Sequence, residues 1–259
     1  MDLGIQGRTA IVCGSSRGLG RACAESLANE GVHIVLNGRN ADTLDATAAH
    51  IANTYGVNVL PVLADVDTEE GRAALLAAVP EVDILVTNNA GPRPADFATI
   101  ELDTWRAAVD SNMLAPLMLI QGVLPGMRER KFGRIVNITS AMVKSPNPLM
   151  ALSIGARTGL TGVTKALSKQ VVVDNVTINN LLPERFDTDR QRYMADLAMK
   201  LTGCTYEEAR AQQVATIAAG RLGEPKEFGD MCAYLCSAQA SYVSGQNIGL
   251  DGGSYEGLI

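Results

Sequence analysis

Gly14-Ser15-Ser16-Arg17-Gly18-Leu19-Gly20 lies between a β-branched apolar run at 9–13 and an amphipathic stretch at 19–29. A glycine-rich turn that joins a strand to a helix leaves few architectures open. Its backbone can come close to an anionic group, and the first N–H groups of the helix have no partners within the helix. In that context the pattern reads as a dinucleotide pyrophosphate site opening a β-α-β unit, with a purely structural turn as the alternative.

The rest of the chain repeats the rhythm. Apolar runs recur at 33–37, 57–63, 82–87, 134–139, 176–182 and 246–250, near-continuous rather than alternating, as for strands covered on both faces. Amphipathic segments at 41–53, 69–78, 102–130, 158–173 and 225–237 lie between them. The order predicts an α/β Rossmann fold with a doubly wound parallel sheet of seven strands and right-handed crossovers. Residues 1–259 read as one domain, without internal repeat or low-complexity tract. One insertion, 184–219, breaks the rhythm and reads as a helical lid over the site. Its Phe186, Tyr193, Met194, Leu197, Met199 and Leu201 would line an apolar pocket or pack a helical core. Arg185, Arg190 and Arg192 would meet an anionic group or form a solvated face.

A formal charge of −6 and an aromatic share of 4% speak against nucleic acid, which needs cations for phosphates and rings for bases. Met1-Asp2-Leu3-Gly4 shows no basic start leading into an apolar run. The longest apolar stretch, 113–124, contains Pro116 and Gln121 and is short for a bilayer. A cytoplasmic chain without membrane contact is the expectation. Cys13, Cys23, Cys204, Cys232 and Cys236 form no Cys-x-x-Cys pair and have no histidine at ligand spacing. Reduced structural thiols are expected, and no metal.

At the end of the second strand, Leu36-Asn37-Gly38-Arg39-Asn40 lacks the acidic residue that would accept hydrogen bonds from an unmodified ribose. Arg39 and Arg17 would instead clamp a 2′-phosphate, which favours NADP(H) over NAD(H). Two solvated surface arginines are the alternative.

Several further motifs carry a resemblance. Gly14 through Gly20, Asp65-Val66, Asn88-Asn89-Ala90-Gly91, Asn112, the strand Ile135-Val136-Asn137-Ile138-Thr139-Ser140 and Asp251-Gly252-Gly253 together resemble the short-chain dehydrogenase/reductase family over the whole length. The resemblance implies a three-layer α/β/α fold and a homo-oligomer, tetramer or dimer, formed through long helices and the last strands. It also implies a cofactor set of Gly14, Ser16, Arg17, Gly18, Leu19, Gly20, Asn37, Gly38, Arg39, Asp65, Val66, Asn89, Ala90, Gly91, Arg157, Pro183 and Thr188. Ser140 takes the place of the active-site serine, and Asn112 that of the asparagine that bends a helix around a water chain.

The chain departs from the family where the chemistry sits. The family's tyrosine and lysine fall at positions 153 and 157, here Ser153 and Arg157, and its Pro-Gly beside the nicotinamide is Pro183-Glu184. A serine hydroxyl is far less acidic than a phenol, and arginine does not relay protons. The expectation is an NADP(H)-dependent oxidoreductase that reduces a 3-oxoacyl or related small carbonyl to an alcohol by a modified proton path. Ser140 would hold the carbonyl oxygen, and a water held by Ser153 and Ser140 would supply the proton. Arg157 would bind the ribose hydroxyls and stabilise alkoxide charge. Lys144 is the one nearby amine that would replace the lost titratable group, a solvated loop lysine being the alternative. Two other functions fit the same residues: an NADP(H)-binding sensor or structural module without turnover, and an oligomeric scaffold that binds no nucleotide.

Overall fold

Seven strands, β1 (Thr9–Val12), β2 (His33–Gly38), β3 (Val59–Leu63), β4 (Ile84–Thr87), β5 (Gly133–Ile138), β6 (Val176–Pro183) and β7 (Asn247–Leu250), build the computed structural model of this protein, which describes residues 1–258. All neighbours pair in parallel, in the order β3-β2-β1-β4-β5-β6-β7. Successive residues of a strand point to opposite faces, and the two faces feed separate cores. Ala10, Val12, Ile84, Val86, Val136 and Ile138 pack into one apolar cluster, while Ile11, Leu85 and Ile135 pack into the other. The runs therefore lack a polar alternation because both faces are covered.

Helices α1 (Gly18–Asn29), α2 (Ala41–Tyr55) and α9 (Pro225–Cys236) cover the first face, where Leu27, Ile51 and Phe228 are buried. On the second lie α3 (Glu69–Ala77), α4 (Leu102–Val109), α5 (Ala115–Glu129) and α6 (Ala151–Val171). Leu75, Leu119, Ile120 and Met127 fill that layer. Helix α2 starts where the Asn40 side chain accepts the Thr43 N–H at 2.9 Å and stops at Gly56 in the left-handed region, φ 69°. These are the ordinary start and stop signals of a helix.

Two details differ from the sequence reading. The stretch 102–130 is α4 and α5 joined by a π turn at Asp110–Leu114, with Asn112 buried in the turn. As one helix, Leu102–Glu129 is long and apolar enough by length and composition to cross a membrane, although the apolar run at 113–124 is too short. Here α5 packs against β4, β5, α3 and α6 instead. Helix α6 begins at Ala151, well before the expected 158, because Gly155 and Gly159 weaken the helical signal. They are needed there: a Cβ at Gly155 would lie 3.1 Å from the Trp105 ring, and one at Gly159 2.7 Å from the Met113 sulfur. Within 184–219 the chain forms α7 (Asp189–Thr202) and α8 (Tyr206–Val214).

The strand order reverses between β1 and β4. Connections leave these strands in opposite directions and open a crevice at their carboxyl ends, the usual place for a ligand in such a sheet.

Candidate active site

The glycine loop leaves β1 with Gly14 at φ 53° and enters α1 through Gly18 at φ 60°, both in the left-handed region. A Cβ on Gly20 would lie 2.4 Å from the Gly14 carbonyl oxygen, so the loop folds this tightly only with hydrogen there. Arg17 precedes α1 without a side-chain cap, which leaves the first N–H groups of the helix to an outside acceptor. A bare, uncapped helix start behind a glycine cradle fits a pyrophosphate.

Two asparagines brace that loop. Asn37 is buried; its Oδ1 accepts the Gly14 N–H at 3.2 Å and its Nδ2 donates to the Ala64 carbonyl at 2.9 Å. Its polar atoms thus hold the loop, whereas the sequence reading gave it to the cofactor directly. Asn88 was not singled out for a role of its own, yet its Nδ2 donates to the Gly14 carbonyl at 3.1 Å and ties the loop to β4. Gly38, at the end of β2, lies close to Ser16, and Leu19 packs partly onto the core at the start of α1.

The exposed Arg17 and Arg39 stand at the start of α1 and the end of β2. Arg39 lies 3.6 Å from Asp65, an ion pair the sequence did not reveal. Val66 is buried in the second core, and its carbonyl accepts from Arg72 at 2.8 Å. After β4, Asn89 donates to Ser111 Oγ at 2.9 Å and to Asp67 Oδ1 at 2.6 Å, which joins the loop to the helix turn that carries Asn112. Ala90 is exposed beside it, and Gly91 faces the arginine described next.

Ser140 follows β5 and caps a short 3-10 turn, its Oγ accepting the Met142 N–H at 3.2 Å. Ser153 and Arg157 stand one turn apart on α6, so both side chains lie on one face. Arg157 Nη1 donates to Ser153 Oγ at 2.8 Å, and Nη2 reaches the Asn89 carbonyl at 3.4 Å. A Cβ on Gly91 would lie 3.0 Å from Nη1. Burial, and behind it the like charge of Arg190, pulls the Arg157 guanidinium down to about 10. It remains a cation near neutral pH, held in place without a side-chain carboxylate in ion-pair contact among the described residues.

The geometry corrects one part of the sequence reading. Ser153 is 0% exposed and its hydroxyl accepts from Arg157, which leaves it no surface in contact with solvent. Ser153 positions the arginine rather than holding a water beside Ser140. Lys144 lies against Tyr255, with its Nζ 5.6 Å from that ring centre.

Pro183 ends β6, and Thr188 precedes α7. Phe186 is buried edge-on against Phe228 at 5.3 Å between ring centres, and it borders a separate hollow with Ile217, Ala219 and Leu250 rather than the cavity beside Ser140. Tyr193 and Leu201 are exposed. Arg185 binds the Gln213 carbonyl and Thr216 Oγ1, and Arg192 pairs with Asp187 and Asp189. Cys13, Cys23, Cys232 and Cys236 are buried free thiols, and Cys204 is a partly buried one.

Comparison with known proteins adds an independent line. A family model described as Enoyl-(Acyl carrier protein) reductase matches residues 14–255. A 3-oxoacyl-(acyl-carrier-protein) reductase of Aquifex aeolicus is 31% identical over 259 residues, covering 98% of this chain and 100% of that protein. The solved L-sorbose reductase from Gluconobacter frateurii, complexed with NADPH and L-sorbose, is 31% identical with a TM-score of 0.95 over 100% of both chains. A 3-oxoacyl (acyl-carrier-protein) reductase from Agrobacterium tumefaciens with NADP bound is 29% identical with a TM-score of 0.88, over 97% of this chain and 96% of that one.

Proposed function

The chain belongs to the short-chain dehydrogenase/reductase family, and from that membership we propose that it is an NADP(H)-dependent reductase of a 3-oxoacyl or related small carbonyl, with a modified proton path. The observation that carries the proposal is the pairing of a glycine cradle that fits a pyrophosphate with a fixed cation. Arg157, held between Ser153 and Asn89, stands beside the Gly91 loop at the same crevice that the glycine turn opens.

When bound, NADPH supplies the hydride. The cradle of Gly14, Ser16, Gly18, Leu19 and Gly20 holds the pyrophosphate, Arg17 and Arg39 hold the 2′-phosphate, and Asp65 with the Val66 backbone holds the adenine. Gly38, Ala90, Gly91, Pro183 and Thr188 shape the remaining walls, and Asn37 keeps the cradle in form. Ser140 donates its hydroxyl to the substrate carbonyl oxygen. Arg157 offers a planar fork to the ribose hydroxyls and stabilises charge developing on that oxygen. The proton comes from water in the crevice next to Ser140, since Ser153 is closed off. Buried in the π turn, Asn112 sets the bend behind this water. Without a tuned acid the rate falls about 10²–10⁴-fold below that of a tyrosine site.

We further read residues 1–258 as one domain whose α7 and α8 form the lid, and the protein as a cytoplasmic homo-oligomer. Exposed Leu114 at the end of the π turn, Met118 on α5 and Val163 on α6 support the assembly. The test combines NADPH calorimetry with loss of NADPH absorbance over a panel of 3-oxoacyl thioesters, diketones, aldehydes and keto sugars. Saturable binding with turnover of at least one carbonyl is expected. Binding without turnover would replace the enzyme by a sensor or structural module, and no binding would leave only a scaffold.

A further inference from the structure

A cavity of about 300 Å³ adjoins Ser140 and has an unusual lining for a site that receives acyl chains. Its near wall is Ala141 and Met142, the residues that follow Ser140, and Met142 is also the residue whose N–H binds the serine oxygen. Opposite stand Lys144, Asn147, Glu184, Asp251, Ser254 and Tyr255. Glu184 replaces the glycine that the family pattern places there, so this chain has added a carboxyl group to the wall. We propose that this cavity selects a neutral, polyhydroxylated carbonyl compound of the ketose type, whose hydroxyls bind Glu184, Asp251, Lys144 and Asn147. The inference rests on the reductase reading above and names its substrate class.

Three arguments lead to that class. The first is desolvation. An alkyl chain lying along Glu184, Asp251 and Lys144 would strip water from three ionisable groups and return no hydrogen bonds. Hydroxyls return them, because each can donate to a carboxylate and accept from an ammonium or amide.

The second is the capacity left on these side chains. The Asp251 oxygens each accept one backbone N–H, from Gly253 and from Tyr255, both at 3.0 Å. A carboxylate has about four acceptor positions, so capacity remains for ligand hydroxyls. Glu184 has Arg185 at 3.3 Å on one oxygen. Burial pushes its carboxyl above the usual range, with Asp251 adding to the push and Arg185 opposing it, as for a group short of solvation. The Asn147 oxygen is taken by the Leu149 N–H at 3.0 Å, which leaves its NH2 to donate. The Tyr255 ring, against which Lys144 rests, offers the flat apolar surface on which a sugar's C–H face packs.

The third is size and charge. A space of about 300 Å³ corresponds to roughly ten water volumes, the bulk of a small sugar rather than of a long acyl carrier arm. With Arg185 paired to Glu184, two cations stand against two carboxyls, so the wall carries no net charge that would draw an anionic sugar acid in preference to a neutral sugar. In the reaction the ketone carbon gains a hydride, its oxygen gains a proton from solvent, and a polyol and NADP⁺ are released.

The test uses the full chain with L-sorbose and D-fructose, 2,3-butanedione as a small unhydroxylated carbonyl, and acetoacetyl-coenzyme A as an acyl thioester. NADPH consumption gives turnover, and saturation-transfer NMR gives ketose binding independently of turnover. The expected result is ketose reduction whose preference over butanedione falls about tenfold or more in Glu184→Gln and in Lys144→Met, the size of a lost hydrogen bond to a charged group. Reduction of butanedione or the thioester but not of a ketose overturns the inference and leaves the reductase reading standing. If no carbonyl is reduced, the reductase reading fails, and the NMR decides the inference. Ketose contacts that weaken in Glu184→Gln support it, and their absence overturns it.

Discussion

Arg157 is a cation kept in place against the stability of the fold, and that can be measured. Burial lowers its guanidinium from the ordinary 12.5 to about 10. At neutral pH the group is charged in both the folded and the unfolded chain. The folded state therefore carries the full penalty, about 3 kcal/mol at about 1.4 kcal/mol per tenfold change in proton affinity. Replacing Arg157 by Met removes the penalty but also two hydrogen bonds, to Ser153 Oγ and the Asn89 carbonyl. Each contributes about 1 kcal/mol net, and the buried Ser153 hydroxyl left behind costs about 1 kcal/mol more. The single variant should thus melt close to the native protein. A Ser153→Ala/Arg157→Met double variant also removes the orphaned hydroxyl and should gain about 1 kcal/mol, a rise of about 2–4 °C in Tm. Differential scanning calorimetry without nucleotide measures this, and calorimetric titration should show NADPH affinity falling about 10–100-fold in both variants, as charge-assisted contacts are lost. A double variant that melts several degrees below the native protein would show Arg157 to be a structural strut, and the argument from its burial would be wrong.

Three other outcomes follow from the same geometry. Gly20→Ala puts a methyl 2.4 Å from the Gly14 carbonyl, so the loop must open. Turnover should drop by about 100-fold, as for a displacement of order 1 Å in a positioned site, while circular dichroism keeps its helical signal; native turnover would show that the cradle is not used. Arg39→Ser should weaken NADPH about 10–100-fold and leave NADH nearly unchanged, and an unaltered NADPH-to-NADH ratio would remove Arg39 from the 2′-phosphate clamp. In acid, the Arg221 side chain holds Glu227 down at about 2, and Lys131 with Arg128 holds Asp174 below the usual carboxylate range. A depressed folded value means that protons bind the unfolded chain more tightly. The contribution is therefore complete above the ordinary 4.5 and is lost as pH falls toward 2. Urea titrations across that range should show a shallower acid loss in Arg221→Ala, and an unchanged slope would refute the pair's role.

What the sequence made legible depended on whether a signal was local. The inner strands could be read because a strand covered on both faces must be apolar at nearly every position, as Ile84–Thr87 is, whereas the edge strands β3 and β7 are only partly covered. The glycine cradle was legible for a similar reason, since a left-handed backbone admits few residues. The start of α6 was not, because Gly155 and Gly159 serve a contact with Trp105 and Met113 from another helix. Their spacing says nothing about that partner. The bracing by Asn37 and Asn88 was hidden likewise, since an amide that holds a loop and one that meets a ligand are the same letter. Tyr255 and Glu184 share a cavity with Lys144 through the return of the chain at β7, and no local pattern connects them.

The paired change at 153 and 157 also has a structural logic. Residues four apart on a helix face one another, so the two positions form one unit whatever occupies them. A tyrosine at 153 would need a ring's volume where Ser153 is fully enclosed, and the Arg157 fork now fills the approach from Gly91 and Asn89. A lysine at 157 with Ser153 kept would bring one compact ammonium in place of the two fork nitrogens that now reach Ser153 Oγ and the Asn89 carbonyl separately, and so would lose the fixed spacing of those two contacts. Each single reversion is thus worse than the pair as it stands. The double Ser153→Tyr/Arg157→Lys exchange should recover a titratable pair only if the Gly91 loop moves outward to admit the ring, at an overpacking cost of about 1–3 kcal/mol. Its melting temperature should fall accordingly, while the pH profile of turnover gains an ionisation that the native protein lacks. An equally stable double variant would mean that the space around Ser153 was never closed, and a water-mediated proton path through Ser153 would then be open again.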